Sequence, residues 1–593
     1  MESDQEPNPK APSSQDGRGA PVQPEAADPE VPKRRPVLWR PPALGALFVG
    51  FIFWMESLRP TLLPHPPLSQ GVVGGLSLLI GYGLGGLVIG AALVFNRRLG
   101  WSGVSAQVRQ VARWVFLVVA IVAVVGGSLV WMAWQNDQRT MVTMPHISWT
   151  EIPVMLLVTA LVVVIFGALA RAIGTGVGWF DRLLGRHMPR ALAHTAVALV
   201  VAFVAVGLGN KLVVDAFLGR TSAAFEAGDS TTEAGAYQPT SPDISGGPGS
   251  LVAWGTLGLQ GRNWVSRTST PAQIQAFVGP NVPVMQPIRA YAGLASASDV
   301  NQRAKLAVED LTRAGGFQRK VLVVATATGS GWINPLTSSA FEYEWAGNTA
   351  MVSMQYSYLP SWIAFLTDRD TAAEAGTALN RAVYAKWSTL PPDARPKLIL
   401  FGESLGSLGS EDTYKASTAS ASVDAVNAHA DGVLWVGPTT TNPIWGQVTA
   451  ARNQGSPVWR PTYGDSSQVV FANTNEELPA AASGRPRIVY LQHPSDPVTW
   501  WSTSTIYSPP AWITEHPHGS DIPSNVSWFP IVTWLQTTGD LMEGFSTPAG
   551  HGHNYNNAWA QAVTSVATPP GWTSADTDRL AAAMISLHGL GAN

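Results

Sequence analysis

Cysteine is absent from this 593-residue chain. Its absence excludes disulfides, thiol catalysis and cysteine-ligated metal sites. Charge is scarce: Asp, Glu, Lys and Arg make up 13% of the residues, about half the share of an ordinary soluble domain. The formal net charge is −3, so the chain carries no basic footprint for nucleic acid. An apolar h-region is missing near the start, and an ordinary cleaved signal peptide is not expected there. Met1–Pro36 is instead rich in Pro, Glu, Asp, Ser and Gln and ends in Lys33-Arg34-Arg35-Pro36. So few apolar residues cannot bury a core, and a disordered tail is expected.

What is present in quantity is tryptophan, 24 residues, and apolar runs before residue 220. Five apolar segments follow the tail: Ala43–Met55, Val72–Phe95, Trp114–Trp134, Ile152–Ile173 and Ala191–Phe217. The last four are long enough to cross roughly 30 Å of hydrocarbon as helices. The first is short, as a re-entrant or interfacial piece would be. Trp101, Trp114, Trp131 and Trp134 flank spans in the manner of an interfacial aromatic belt. Arginine is unevenly placed. Arg97, Arg98, Arg109 and Arg113 lie between segments two and three, and Arg171, Arg182, Arg186 and Arg190 join four to five. The alternate loops hold Arg59 and Arg139. The positive-inside rule puts the richer loops in the cytoplasm and everything after Phe217 outside. An integral, multi-pass plasma-membrane protein is expected, with its catalytic part extracytoplasmic. Its divisions are a tail over 1–36, a membrane module of about five spans over 37–218, a linker over 219–249 and a catalytic domain over 250–593.

From about Leu251 the pattern alternates strand and helix. Pro287–Gly293, Lys320–Thr326, Thr349–Gln355, Lys397–Phe401, Asp431–Val436 and Arg487–Leu491 read as strands, and Ser298–Ala314 and Ala372–Trp387 as helices. Repeated β–α alternation predicts a mostly parallel sheet covered by helices on both faces.

One motif carries chemistry. The strand Leu398–Phe401 runs into Gly402-Glu403-Ser404-Leu405-Gly406, a G-x-S-x-G. Between a strand and a helix this pattern forms a sharp turn that presents a serine Oγ at the end of the sheet. A serine hydroxyl needs a base, and the base needs an orienting acid. On such a sheet the chain order is Ser, acid, His. Asp496 fits the acid, because it sits in a loop just past the strand Arg487–Leu491. Glu411 and Asp412 follow the elbow too closely, and Asp431 begins a strand. Gly550-His551-Gly552-His553-Asn554-Tyr555 fits the base. Two histidines two apart point to opposite sides of an extended segment, so only one reaches Ser404. His553 is favoured over His551 because a helix follows it more directly. His516 and His518, in a Pro-rich loop, read as surface residues. The oxyanion hole is expected from the amide of Leu405 and from the loop Ala327–Trp332, at Gly329 and Ser330. Trp332, Tyr358 and Trp500 are candidate substrate contacts among aromatics that crowd this side. Pro510–Pro530, with Trp512 and Trp528, reads as an insertion. Apolar walls would suit an acyl chain. No metal site and no cofactor are expected.

Several of these runs resemble one family. Pro287-Ile288-Arg289-Ala290-Tyr291-Ala292-Gly293-Leu294, Thr328-Gly329-Ser330-Gly331-Trp332 and Met354-Gln355-Tyr356-Ser357-Tyr358-Leu359-Pro360-Ser361-Trp362 carry the resemblance, with the Gly402–Gly406 elbow and the Gly550–Tyr555 stretch. The chain resembles the membrane-anchored α/β-hydrolase proteins of actinobacteria from about Ser250 onward, and its N-terminal helices resemble their companion module. The resemblance implies an α-helical transmembrane module followed by an α/β-hydrolase domain with a serine nucleophile. The expected activity is a serine esterase or lipase acting on an acyl ester of a cell-envelope lipid. An acyltransferase using the same Ser404–His553–Asp496 set, an inactive scaffold at the membrane and transport through the helices are the alternatives. Acidic residues are missing from mid-span, which argues against ion coupling.

Overall fold

The computed structural model describes residues 44–99, 105–184, 225–480 and 488–588. Seven strands form one sheet in the order β1-β3-β2-β4-β5-β7-β6. They are β1 Ile288–Ala292, β2 Val321–Thr326, β3 Thr349–Met354, β4 Lys397–Glu403, β5 Gly432–Val436, β6 Val469–Ala472 and β7 Ile488–Leu491. Every pairing is parallel. A sheet covered on both faces needs apolar side chains on both, and β2 (Val-Leu-Val-Val-Ala-Thr) supplies them without a break. Its alternate residues serve separate cores. Leu322 and Val324 pack with Ala304, Leu311, Leu379 and Leu408 from helices on one face. Val321 and Val323 pack with Phe341, Trp559, Val563 and Leu580 from helices on the other. The chain passes from β2 to β3 on one side and then crosses to β4 on the other. Such a reversal opens a crevice at the carboxyl ends of the two strands.

The N-terminal region is helical: α1 Leu44–Glu56, α2 Pro67–Leu99, α3 Ala106–Met141 and α4 Ile152–Leu184. Within them, Pro67–Ala92, Gln107–Met141 and Trp149–Leu184 are long and apolar enough to cross a membrane. Leu87, Val88, Val122 and Val164 stand exposed along them, a surface that lipid would cover. α1 is the shorter apolar helix, as its segment predicts. The fifth segment, 191–217, and the tail, 1–36, lie outside the described residues. The stretch read as a linker is described from residue 225, and it lies on the α/β domain. Asp229 accepts from the Leu259 amide and from Gln355 Nε2, and Ser245 N donates to Arg289 O of β1.

The helical region and the α/β domain belong to one compact unit, and the turn between α1 and α2 joins them. Leu62 and Leu63 are buried in the core beneath the sheet face. Asp540, on the helix Val532–Glu543, turns one carboxylate oxygen toward that turn. Oδ1 accepts from Thr61 Oγ1 at 3.0 Å and the Leu63 amide at 3.3 Å, and pairs with His65 Nε2 at 2.8 Å. Gln536 Nε2 donates to the carbonyls of Ser57 and Arg59. Asp540 and His65 are both buried, so removing the acid strands an imidazole and two donors without water. Asp540→Ala is expected to destabilise the detergent-solubilised chain by about 3–5 kcal/mol. A thermal-unfolding midpoint unchanged from the parent would remove this contact from the account of how the two regions hold together.

Candidate active site

Ser404 stands at the junction of β4 and the helix Leu405–Asp412 with φ 56° and ψ −126°. A side chain at positive φ is strained, and such strain persists only where surrounding contacts enforce it. They do so here. The Ser404 amide is held by Val436 O at 2.8 Å. A Cβ on Gly402 would lie 2.4 Å from Gly406 O, and one on Gly406 would lie 2.2 Å from Thr326 O. Both flanking positions therefore require glycine, which is the physical content of the G-x-S-x-G pattern.

Asp496 follows β7 and is fully buried. Its Oδ1 accepts from the Val498 amide at 2.8 Å. Its Oδ2 pairs with His553 Nδ1 at 2.7 Å and accepts from Tyr555 Oη at 2.6 Å. A carboxylate so paired can only accept, so Nδ1 carries the proton and Nε2 is left as the basic nitrogen. His553 Nε2 is buried without a hydrogen-bond partner. The ring is fixed further by its own amide, which donates to Gly544 O at 2.8 Å, and by Phe545 edge-on at 4.9 Å. Gly544 directly follows the helix that bears Asp540, so the turn between α1 and α2 and the imidazole are supported by the same element.

His553 titrates above the ordinary histidine value. Burial lowers it, but the charge and hydrogen bond of Asp496 together with the charge of Glu403 outweigh burial. His551 faces elsewhere: its Nδ1 pairs with Asp521 Oδ2 at 3.1 Å. The rival acids are also placed elsewhere. Glu411 is buried under Asn442, Tyr490 and the amides of Ile444 and Trp445, Asp412 pairs with Lys415, and Asp431 accepts from the Leu398 amide. His516 is exposed and His518 half-buried, bonding Ile513 O.

Ser404 and His553 line one cavity of about 340 Å³ at the carboxyl ends of β2 and β4. Ser330 and Trp332, from the loop after β2, line it as well. The Leu405 amide opens a helix, where the first N–H groups have no intrahelical acceptor. Gly329 departs from the expectation, because its amide donates to Tyr356 Oη at 2.7 Å. Of the two expected loop donors, Ser330 is the one that lines the cavity. The Tyr356–Trp362 run thus acts partly as scaffolding: Tyr356 holds the loop after β2, and Pro360 and Ser361 reach the cavity wall.

The structure does not bring Tyr358 and Trp500, the other candidate substrate contacts, to this cavity. Neither is among the described residues that line the cavity. Tyr358 is turned toward Glu226, and Trp500 is core, edge-on to Trp445 with its Nε1 on Pro494 O. Trp512 is likewise buried in the core. Tyr555, Asn334, Gln260 and Phe545 belong to the site without having been singled out. Only Tyr555 carried a signal, as the end of the glycine-flexed histidine stretch.

A family model described as an alpha/beta-hydrolase family matches residues 288–580, and a model of that family's N-terminus matches residues 58–268. The chain belongs to this alpha/beta-hydrolase family. Neither curated proteins nor solved structures give a match. The N-terminal match begins at the turn that meets Asp540, so it takes in the region that joins the two parts of the hydrolase. Among the described residues no group of three or more His, Asp or Glu is placed to hold a metal ion.

Glu403, the residue before Ser404, is the unusual feature of the site. It is buried, lines the cavity and accepts from Asn334 Nδ2 at 3.2 Å. Burial pushes its carboxyl up to about 7, against the opposing effects of His553 and Asn334. Glu403 and His553, each titrating above its ordinary value, therefore share one cavity and feel each other's charge.

Proposed function

We propose that this alpha/beta-hydrolase is a membrane-anchored serine esterase acting on acyl esters. The observation that carries the reading is the buried Asp496–His553 pair with its unpartnered Nε2, in the same cavity as a strained Ser404. Ser404 Oγ attacks the ester carbonyl as His553 Nε2 takes its proton. The amides of Leu405 and Ser330 receive the oxyanion. Collapse breaks the bond to the alcohol, His553 returns the proton to the departing oxygen, and water releases the acid by the same steps. An alcohol in place of water gives acyl transfer through the same acyl-enzyme. A lipid of the cell envelope, reached from the membrane surface, is the proposed setting. Fluorophosphonate labelling of the full chain in detergent tests the reading; an unlabelled protein would leave an inactive scaffold in its place.

His553 must be neutral to act as the base, so activity is lost as pH falls through its raised pKa. The acid limb of kcat/KM is expected above the ordinary histidine value. Glu403→Gln removes a negative charge that favours the imidazolium, and the limb should move to lower pH. A limb unmoved in that variant would exclude Glu403 from the electrostatics of the base.

The arginine asymmetry of the loops supports a reading with the α/β domain outside the cytoplasm. A reporter that is active only outside, fused after Asn593, should be active; activity from a cytoplasmic reporter alone would reverse the orientation.

A further inference from the structure

The wall around Ser404 mixes an apolar surface with many polar side chains, unlike a purely apolar tunnel for an acyl chain. A long chain would have to gain its binding energy from apolar area, at about 25 cal/mol per Å² removed from water. The wall offers Trp332, Pro360, Phe545 and the ring of Tyr555 for that purpose. The rest is mostly polar, and much of its hydrogen-bonding capacity is unused. Thr328 Oγ1 is buried without a partner. Among the described residues no partner is present for the Gln260 amide. One hydrogen bond, from Asn334, reaches the buried Glu403 carboxyl. Asn556 commits its Oδ1 to Trp559 Nε1 and leaves its amide donors free. Thr328 and Glu403 are buried, where a polar atom is normally satisfied and an exception points to a ligand or to water, while Gln260 and Asn556 are half-buried at the cavity rim. Unused donors and acceptors gathered around one nucleophile, beside a tryptophan, match a ligand with an apolar ring face and a rim of hydroxyls.

We propose that the cavity takes the polyhydroxylated alcohol part of the ester, a sugar or similar polyol, and that Glu403, Thr328 and Gln260 are its hydrogen-bonding contacts. The proposal rests on the serine-hydrolase reading above and narrows its substrate. Trp332 supplies the surface for the ring's apolar face. In acylation the bond from Ser404 Oγ to the acyl carbon forms and the bond from that carbon to the polyol oxygen breaks. The serine proton passes through His553 to the polyol oxygen. The polyol therefore leaves from this cavity, and in acyl transfer it is the acceptor that enters it. A simple aliphatic alcohol in the same place would leave Thr328 desolvated and unpaired and Glu403 with Asn334 alone, and that is how a polar site rejects an apolar analogue.

The experiment compares two esters of one acyl group, 6-O-butyrylglucose and ethyl butyrate, with the full chain in detergent micelles. Each kcat/KM is divided by the ester's rate of alkaline hydrolysis, so that leaving-group reactivity cancels. The corrected value is expected to be about 100-fold higher for the glucose ester, the worth of two or three hydrogen bonds. Thr328→Val and Gln260→Leu should each compress this preference by about 5- to 10-fold, and Glu403→Gln by at least as much, because a bond to a charged acceptor is the stronger one. Thr328→Ser, which keeps the hydroxyl, should retain the preference. A corrected ratio near one, in protein that a fluorophosphonate labels at Ser404, overturns the polyol assignment and leaves the hydrolase standing. A high ratio that none of the three variants compresses overturns the assignment of these contacts. Absence of labelling overturns the hydrolase reading, and the polyol falls with it.

Discussion

Ser404→Ala is expected to abolish fluorophosphonate labelling and to lower ester turnover by about 10⁴- to 10⁶-fold, as losses of a triad member do in serine hydrolases. The lower bound corresponds to roughly 5 kcal/mol of transition-state stabilisation. The size of the effect follows from covalency: no other group can occupy the place of Oγ at the end of β4. The change should not harm the fold. Ser404 contributes its backbone amide to Val436 O and its carbonyl to the Ser407 hydroxyl, and alanine keeps both. Alanine at φ 56° bears the same backbone strain as serine, so the unfolding midpoint should stay near that of the parent. Labelling retained in a well-folded alanine variant would show that the nucleophile lies elsewhere. The residual rate, carried by the oxyanion amides and by binding, should still exceed the uncatalysed reaction.

The elbow was readable because its rules are local. A four-residue apolar run, two glycines forced by backbone contact and a serine between them all fall within ten residues. The strands of the parallel sheet were readable for a related reason: burial on both faces makes them continuous apolar runs. β6, Val469–Ala472, escaped. It has four residues, lies at the sheet edge and sits among Ser, Gln, Asn and Thr, so periodicity has nothing to act on. The helices Val300–Arg313 and Arg369–Trp387 lie close to their predicted bounds, as amphipathic segments with clear ends should.

What could not be read depends on pairs distant in the chain. Asp496 and His553 bond directly, and Tyr555 adds its hydroxyl to the same carboxylate oxygen; a tyrosine near a histidine has no distinctive spacing. Gly329 looked available as an oxyanion donor because glycine permits close approach. Its amide is instead taken by Tyr356, 27 residues later. Tryptophans near the site suggested apolar walls, but Trp500 and Trp512 are core residues, and composition cannot distinguish a wall from a core. The contact between His65 and Asp540 spans 475 residues. It brings the turn between the apolar helices into the support of the His553 loop, and a sequence divided into membrane module, linker and enzyme gives no sign of it.

That loop is also where the second large effect is expected. His553→Gln should match the Ser404→Ala loss, because glutamine fills similar space and keeps polarity but cannot accept the serine proton. His551→Gln should retain most of the activity. The stretch expected to be extended is a turn, closed by the Asn554 amide on His551 O with Gly552 at φ 55°, and the two side chains diverge from it: His553 goes to the buried Asp496, and His551, partly exposed, goes to Asp521. His551 still has structural neighbours. Asp521 also accepts from Ser495 Oγ, which in turn accepts from the Gly552 amide, so its loss should loosen the loop slightly and lower activity only a few-fold. Adding Ser404→Ala to His553→Gln should cost little beyond either change alone, since members of one catalytic unit do not contribute additively. The same pair of variants separates catalysis from folding, because both histidines support the loop and only one faces the cavity. A reversed ranking would move the base to His551 and require the loop to rearrange on binding substrate. Equal and mild losses in both variants, with unfolding midpoints unchanged, would mean that neither imidazole takes a proton, and the cavity would then belong to a binding protein built on a hydrolase fold.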